Sequence, residues 1–384
     1  MTTTATIDSF AVDPTSNAPG KQRWFRSSKQ RTTSFVGIEI SESEVRVACL
    51  KRNREQSFDW SHLYRFELPV MPGGEPTLQW LHEVMHTIHL RLPRPIEGDR
   101  CECAIALPLS WTQYQTVLGH ELENVRRRST QLFSESVFES QAHICHWPIA
   151  GIHCGHPGAD DQYVIAATAR RATCHLVDIA SSLGYQVHSV LPHAVALTHA
   201  SLRLTSVDAQ CVLWLDHQAS LISVRHSTGV GLSRSLSTLP ARLADLAVSK
   251  GRQGQRPLDA YTLRPYLSDI AAEFERTAKY AARAENVGSH NAASRHKDSA
   301  DKPILLAGPL AAIEGVDEIL ATICNVPVAT WTFAGRRRPV PTTRATGPTN
   351  KVSSNDSRCD DVRFATALSL ACLASDATKQ GYGK

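Results

Sequence analysis

Long apolar runs are missing from this chain. Nowhere in its 384 residues does a run approach the roughly 20 apolar positions that span a bilayer. No segment therefore reads as membrane-spanning, and membrane association is expected only through partners. The first twenty residues, MTTTATIDSFAVDPTSNAPG, also lack a charged start followed by an apolar stretch, so they do not read as a secretory signal. Charge of one sign is scarce. The net charge is +4, and residues 1–32 hold five Lys/Arg against two Asp, leaving the rest nearly neutral. That balance speaks against a nucleic-acid-binding surface. Nucleophile motifs are absent: neither G-x-S-x-G nor the P-loop pattern occurs.

What is present is a globular composition, 42% hydrophobic, on a chain long enough for two or three cored domains. Of the ten cysteines, Cys49, Cys103, Cys211 and Cys372 sit inside apolar runs, where the residue acts as a small hydrophobe. Without an export signal they read as free thiols, and the protein as cytoplasmic. The most organised stretch is Cys211–Ser237. An apolar run, Val212–Leu215, ends on Asp216. A short turn leads into Ser220–Val224, and Thr228-Gly229 turns into Val230–Leu236. This predicts a three-stranded meander. Phe35–Ile40 and Glu44–Leu50 repeat the opening: an apolar strand with an acid near its end, a polar turn and a returning strand. Two similar halves predict two lobes around a cleft, with the turns facing each other.

Between and after these stretches the pattern alternates. Strands are predicted at Trp60–Val70, Cys101–Leu107, Gln115–Leu118, Gln162–Thr168, Tyr185–Val190, Pro303–Ala307 and Pro327–Thr330. Helices are predicted at Leu78–Leu92, Glu121–Leu132, Ala172–Leu183 closed by Gly184, Pro192–Arg203, Pro240–Lys250, over roughly 20 residues spanning Leu263–Ala281, at Leu310–Ile323 and at Val362–Ala374. Residues 1–32, 288–302 and 335–360 are polar and aperiodic and are expected to be without structure. Trp24-Phe25 among basic residues offers a docking or membrane-surface motif as the alternative to a plain leader.

Five stretches then carry a resemblance: FVGIEISESEVRVACL, YVIAATARRATCHLVDIASSLGYQVHSVLPHAVALTHA, VLWLDHQASLISVRHSTGVGLSRSLS, PILLAGPLAAIEGVDEILATICNVPV and RFATALSLAC. In this order they resemble the actin/Hsp70/FtsA superfamily. Within it they look most like the PilM-like proteins of type IV pilus assembly, with the cytoplasmic part of the secretion protein GspL as a relative. The resemblance implies an α/β, actin-like (ribonuclease-H-like) two-lobed fold with an inserted small α/β subdomain. Its parts would be 33–98 for the start of the first lobe, 99–204 for the insertion and return, 205–334 for the second lobe, and 361–376 for a docking helix.

In such a fold two hairpin turns hold nucleotide phosphates through backbone N–H groups, an acid at a strand end holds magnesium, and a glycine turn admits the adenosine. Carried over residue by residue, the acids are Glu39 and Asp216. The turn residues are Ser41, Ser43, Gln218 and Ser220, and the remaining glycine is Gly308. Each position departs from the pattern. Glu39 is a methylene longer than Asp, Ser41 and Gln218 replace glycines, Glu42 and Glu44 add negative charge, and Pro309 removes a donor. A carboxylate beside a phosphate costs on the order of 1 kcal/mol even when screened, and a lost N–H to a charged partner roughly 1–3 kcal/mol. ATP and magnesium are therefore expected to bind weakly or not at all. Glu39 and Asp216 as mere turn caps is the plain alternative.

A second candidate is HICHWPIAGIHCGH, where His143, Cys145, His146, His153, Cys154 and His156 offer a four-ligand zinc set. The spacing is not that of a standard finger, and an ordinary hairpin with incidental histidines is the favoured alternative. The leading expectation is thus a PilM-like scaffold without enzymatic activity, peripheral to the inner membrane in a pilus or type II secretion assembly. It would hold the cytoplasmic N-terminal peptide of a PilN- or GspL/GspM-like bitopic protein in a groove walled by residues 101–200 and the first lobe. An active ATPase or ATP switch using Glu39, Asp216 and Gly308 is the alternative. A sugar-kinase-like phosphotransferase ranks last, for want of a catalytic Asp.

Overall fold

β1 (Thr33–Ile40), β2 (Glu44–Arg52) and β3 (Phe58–Glu67) pair antiparallel, in a computed structural model that describes residues 33–52, 57–69, 78–95, 100–127, 142–148, 162–209, 211–226, 229–236, 238–240, 243, 258–288, 302–337 and 361–381. β4 (Arg100–Ala106) lies parallel to β1, and β8 (Gln186–Leu191) parallel to β4. The second half repeats the plan. β9 (Cys211–Leu215), β10 (Ser220–His226) and β11 (Gly229–Leu236) form a meander, β12 (Ile304–Ala307) runs parallel to β9, and β13 (Val328–Thr330) parallel to β12. The strand orders β3-β2-β1-β4-β8 and β11-β10-β9-β12-β13 are the same. The likeness seen in two openings thus extends to five strands in each sheet.

A third sheet, β5-β7-β6, is built from β5 (Thr112–Leu118), β6 (Ala142–Pro148) and β7 (Gln162–Ala169), all antiparallel. With α2 (Gly119–Arg127) it has a small core of its own, formed by Val117, Leu122, Tyr163 and Ile165. In the chain it falls between β4 and β8, which both belong to the first large sheet.

Alternation along β1 and β2 sorts their side chains between two cores. Val36, Ile38, Ile40, Val45 and Val47 pack outward on Trp80, Val84, Met85 and Ile88 of α1 (Leu78–Arg91) and on Leu176 and Ile179 of α3 (Arg170–Ser182). Phe35, Ala48, Leu50, Ala104 and Ala106 face inward, in one core with α4 (His193–Leu204), α7 (Ala365–Gly381) and the second sheet. α7 lies directly on β1: a Cβ added to Gly37 would stand 1.8 Å from the Ala367 carbonyl oxygen. Glu39, two residues on, shares that inward face.

Some elements differ from expectation. The helix over Leu263–Ala281 is longer, α5 (Ala260–Gly288), at 29 residues. The single helix expected over Leu310–Ile323 is broken into a 3-10 turn, Leu310–Ala312, and α6 (Val316–Cys324). Ile313 goes extended and Gly315 takes a left-handed φ of 82°, which only glycine adopts at no cost. At the start of the basic stretch expected to be unstructured, Arg336–Arg337 form β14, parallel to β3. The leader over 1–32, nearly all of the Pro240–Lys250 helix, the loop over 289–301 and the remainder of that basic stretch lie outside the described residues.

Candidate functional site

The first hairpin turn closes on itself. Ser41 N–H donates to the Glu44 carbonyl at 2.9 Å, the Ser41 hydroxyl donates to the same oxygen at 2.9 Å, and Glu44 N–H donates back to Ser41 Oγ at 3.2 Å. Ser43 contributes its carbonyl, which accepts Leu68 N–H at 2.8 Å. Three of the turn's donors, the Ser41 N–H, the Ser41 hydroxyl and the Glu44 N–H, are thus engaged within the hairpin. Glu42 is buried: its Oε1 accepts the Ser110 N–H at 2.8 Å, fastening the turn to the β4–β5 connection. Burial pushes the Glu42 carboxyl above its ordinary value. The Ser110 N–H works against that shift, and the charge of Asp216 adds to it.

At the second turn Asp216 has two roles. Its Oδ1 accepts His217 N–H at 2.6 Å, so it caps the turn, and its Oδ2 faces Arg46 at 3.4 Å. Ser220 Oγ accepts Asp216 N–H at 3.4 Å and lies 2.8 Å from the Tyr266 hydroxyl. Gln218 is half-buried, and its Oε1 makes no hydrogen bond among the described residues. Gly308 has φ 102°, and a Cβ there would stand 2.3 Å from the Leu215 carbonyl oxygen. Its N–H donates to the Val362 carbonyl at 3.0 Å. Packing of β12 against β9 therefore accounts for this glycine without a nucleotide.

The residue that joins the two turns is Arg46, which the sequence pattern alone does not single out. β2 alternates, so Arg46 falls between outward Val45 and Val47 and points inward, directly across from Glu39 of β1. One guanidinium nitrogen lies 2.6 Å from Glu39 Oε1, and the other pairs with Glu44 and faces Asp216. Arg46 and Glu39 are 1% and 0% exposed. The guanidinium also lies over the Trp214 ring, 5.6 Å from its centroid, and His193 tilts against the same ring and reaches Glu39 Oε1 at 3.4 Å. Burial alone would lower the Arg46 pKa. Glu44, Glu39 and Asp216 together outweigh it and hold the group above its ordinary value. The signal available in the sequence was an arginine between two valines, in the otherwise apolar run Val45–Leu50.

The zinc candidate is not assembled among the described residues. His143 and Cys145 fall on one face of β6 and His146 on the other. His146 packs edge-on against Tyr163, with ring centroids 6.0 Å apart. His143 Nε2 lies 3.8 Å from the Cys174 thiol, and burial, with the charge of Arg170, lowers its pKa. His153, Cys154 and His156 lie outside the described residues. The H-E-x-x-H pattern, counted as absent with the other catalytic motifs, does occur once in the chain, as HEVMH over His82–His86. His82, Glu83 and His86 are exposed on α1, and no third His, Cys, Asp or Glu completes a metal set among the described residues. The match reads as a solvent-facing turn of helix.

The repeated strand order, two sheets with the same meander and the same parallel additions, defines the actin-like α/β fold. The chain is similar to several known structures. A chain of a PilM–PilN type IV pilus biogenesis complex superposes with a TM-score of 0.57 at 15% identity, covering 88% of this chain and 98% of that one. A Bacteroides thetaiotaomicron protein of unknown function with an actin-like ATPase fold gives 0.41 at 10% identity, covering 80% and 94%. The cytoplasmic domain of EpsL, an inner-membrane component of the type II secretion system of Vibrio cholerae, gives 0.34 at 12% identity, covering 89% and 94%. No family model and no curated protein matches the sequence.

Proposed function

We propose that this chain is a PilM-like scaffold, without catalytic activity, that holds the cytoplasmic peptide of a bitopic membrane protein in a pilus or type II secretion assembly. The observation that carries the reading is the likeness, over 88% of this chain, to a chain of the PilM–PilN complex. The charge arrangement between the two hairpin turns supports it. The acids that would face a magnesium nucleotide are paired with Arg46, and Ser41 and Glu44 of the first turn spend their donors on each other. The residues present therefore do not fit magnesium and a triphosphate. No helix among the described residues is long and apolar enough to cross a membrane, in keeping with attachment to the inner membrane through the partner. An extended peptide would gain main-chain hydrogen bonds and bury alternate side chains.

Fluorescence anisotropy of a labelled N-terminal cytoplasmic peptide from a PilN-like protein of the same organism tests this. Saturable one-to-one binding that is indifferent to Mg-ATP is expected. Absence of peptide binding, with ATP hydrolysis by the same preparation, would point to the ATPase alternative.

A further inference from the structure

We propose that Arg46 is the built-in cation between the two hairpin turns: its guanidinium takes up the acids that the fold would offer a divalent metal and ties the two large sheets together. The inference rests on the scaffold reading above and deepens it.

Four carboxylates converge here, those of Glu39, Glu42, Glu44 and Asp216. The Arg46 and Arg65 guanidiniums and the His193 imidazole face them. Glu39 is the penultimate residue of β1 in the first sheet, and Asp216 follows β9 in the second. They are far apart in sequence, and Arg46 touches both. A guanidinium is suited to bridging them. It is planar, stays charged and presents several donors at once, so one group can serve three carboxylates. The site is buried, so the acids cannot instead be left to water. A lysine ammonium, a point charge, would not reach Glu39 and Asp216 together. Glu39 Oε2 and Arg46 Nε make no hydrogen bond among the described residues, so the network retains an open acceptor beside its cation.

The test is thermal unfolding of the full chain and three variants in EDTA, in millimolar MgCl2 and in millimolar MnCl2. Arg46→Met leaves the acids facing one another, so its midpoint should fall by roughly 5–10 °C in EDTA. Either metal should restore a large part of that loss, because the ion can then enter. Wild type should move with neither. The triple variant Glu39→Gln/Arg46→Met/Asp216→Asn, with the charges removed together, should unfold above Arg46→Met and ignore metal. Arg46→Lys should fall between wild type and Arg46→Met.

The inference is overturned by an Arg46→Met protein that unfolds with wild type, by a wild type that responds to metal as strongly as the variant, or by a triple variant no more stable than the single. If Arg46→Met does not fold, a triple variant that also fails to fold overturns it, and a folded, metal-indifferent triple supports it. Peptide binding by wild type is read separately. It can fail while metal rescue of the variant succeeds, and the reverse, so the two readings fall independently.

Discussion

Glu42 sits buried at the first hairpin turn with its carboxylate on the Ser110 N–H. Burial raises its folded-state pKa above the ordinary 4.5, so proton binding favours the native state at low pH. That contribution is fully present below the unfolded pKa and is lost as pH rises through the folded one. Glu42→Gln keeps an acceptor for Ser110 and cannot ionise. Urea unfolding from pH 4 to pH 8 should show the variant equal to wild type at the acid end and increasingly more stable toward neutrality. A constant difference across the range would contradict the assignment. Thiols behave in the same spirit: burial pushes Cys49 up to about 12, so it stays protonated and inert at neutral pH. At this scale the sequence showed which residues carry charge but not which charges meet. Glu39, Asp216 and Gly308 were legible because they punctuate strand ends. Arg46 was not, because its partner Asp216 lies 170 residues away and only the fold brings them together.

Strands and helices were legible where one apolar period ran without interruption. The first meander, α1, α3 and the second meander follow from alternation or from i, i+3, i+4 spacing. The helix break between Leu310 and Val316 was hidden because Leu310, Ile313 and Leu320 keep a helical spacing across it. Gly315 was the available sign. The same backbone logic gives a prediction for the helix that closes the chain. α7 crosses β1 at Gly37, where a methyl group would lie 1.8 Å from the Ala367 carbonyl oxygen and 2.7 Å from the Ala371 nitrogen. Neither atom can yield without moving the helix. Gly37→Ala should therefore cost about 3 kcal/mol of stability in chemical denaturation. An alanine variant within experimental error of wild type would mean that α7 does not sit this closely on β1. The outer end of α7 has other ties: Asp376 pairs with Arg203 of α4 and lies 3.8 Å from Arg52 of β2.

For the whole molecule, a duplicated five-stranded plan brings two hairpin turns to one buried place, and Arg46 bridges them there. The duplication was readable from two short stretches because each opening carries an apolar strand, an acid and a returning strand. In the inserted sheet β5-β7-β6 only β5 and β7 were readable as strands; β6 falls in the His/Cys-rich stretch, and the β5–β7 pairing skips over it in the chain. The claim at this scale is that the bilobed shell is kept closed by its own side chains and needs no nucleotide. Calorimetric titration of the full chain with Mg-ATP tests it most directly. The account predicts no measurable heat of binding up to millimolar nucleotide, and low-micromolar saturable binding would contradict it.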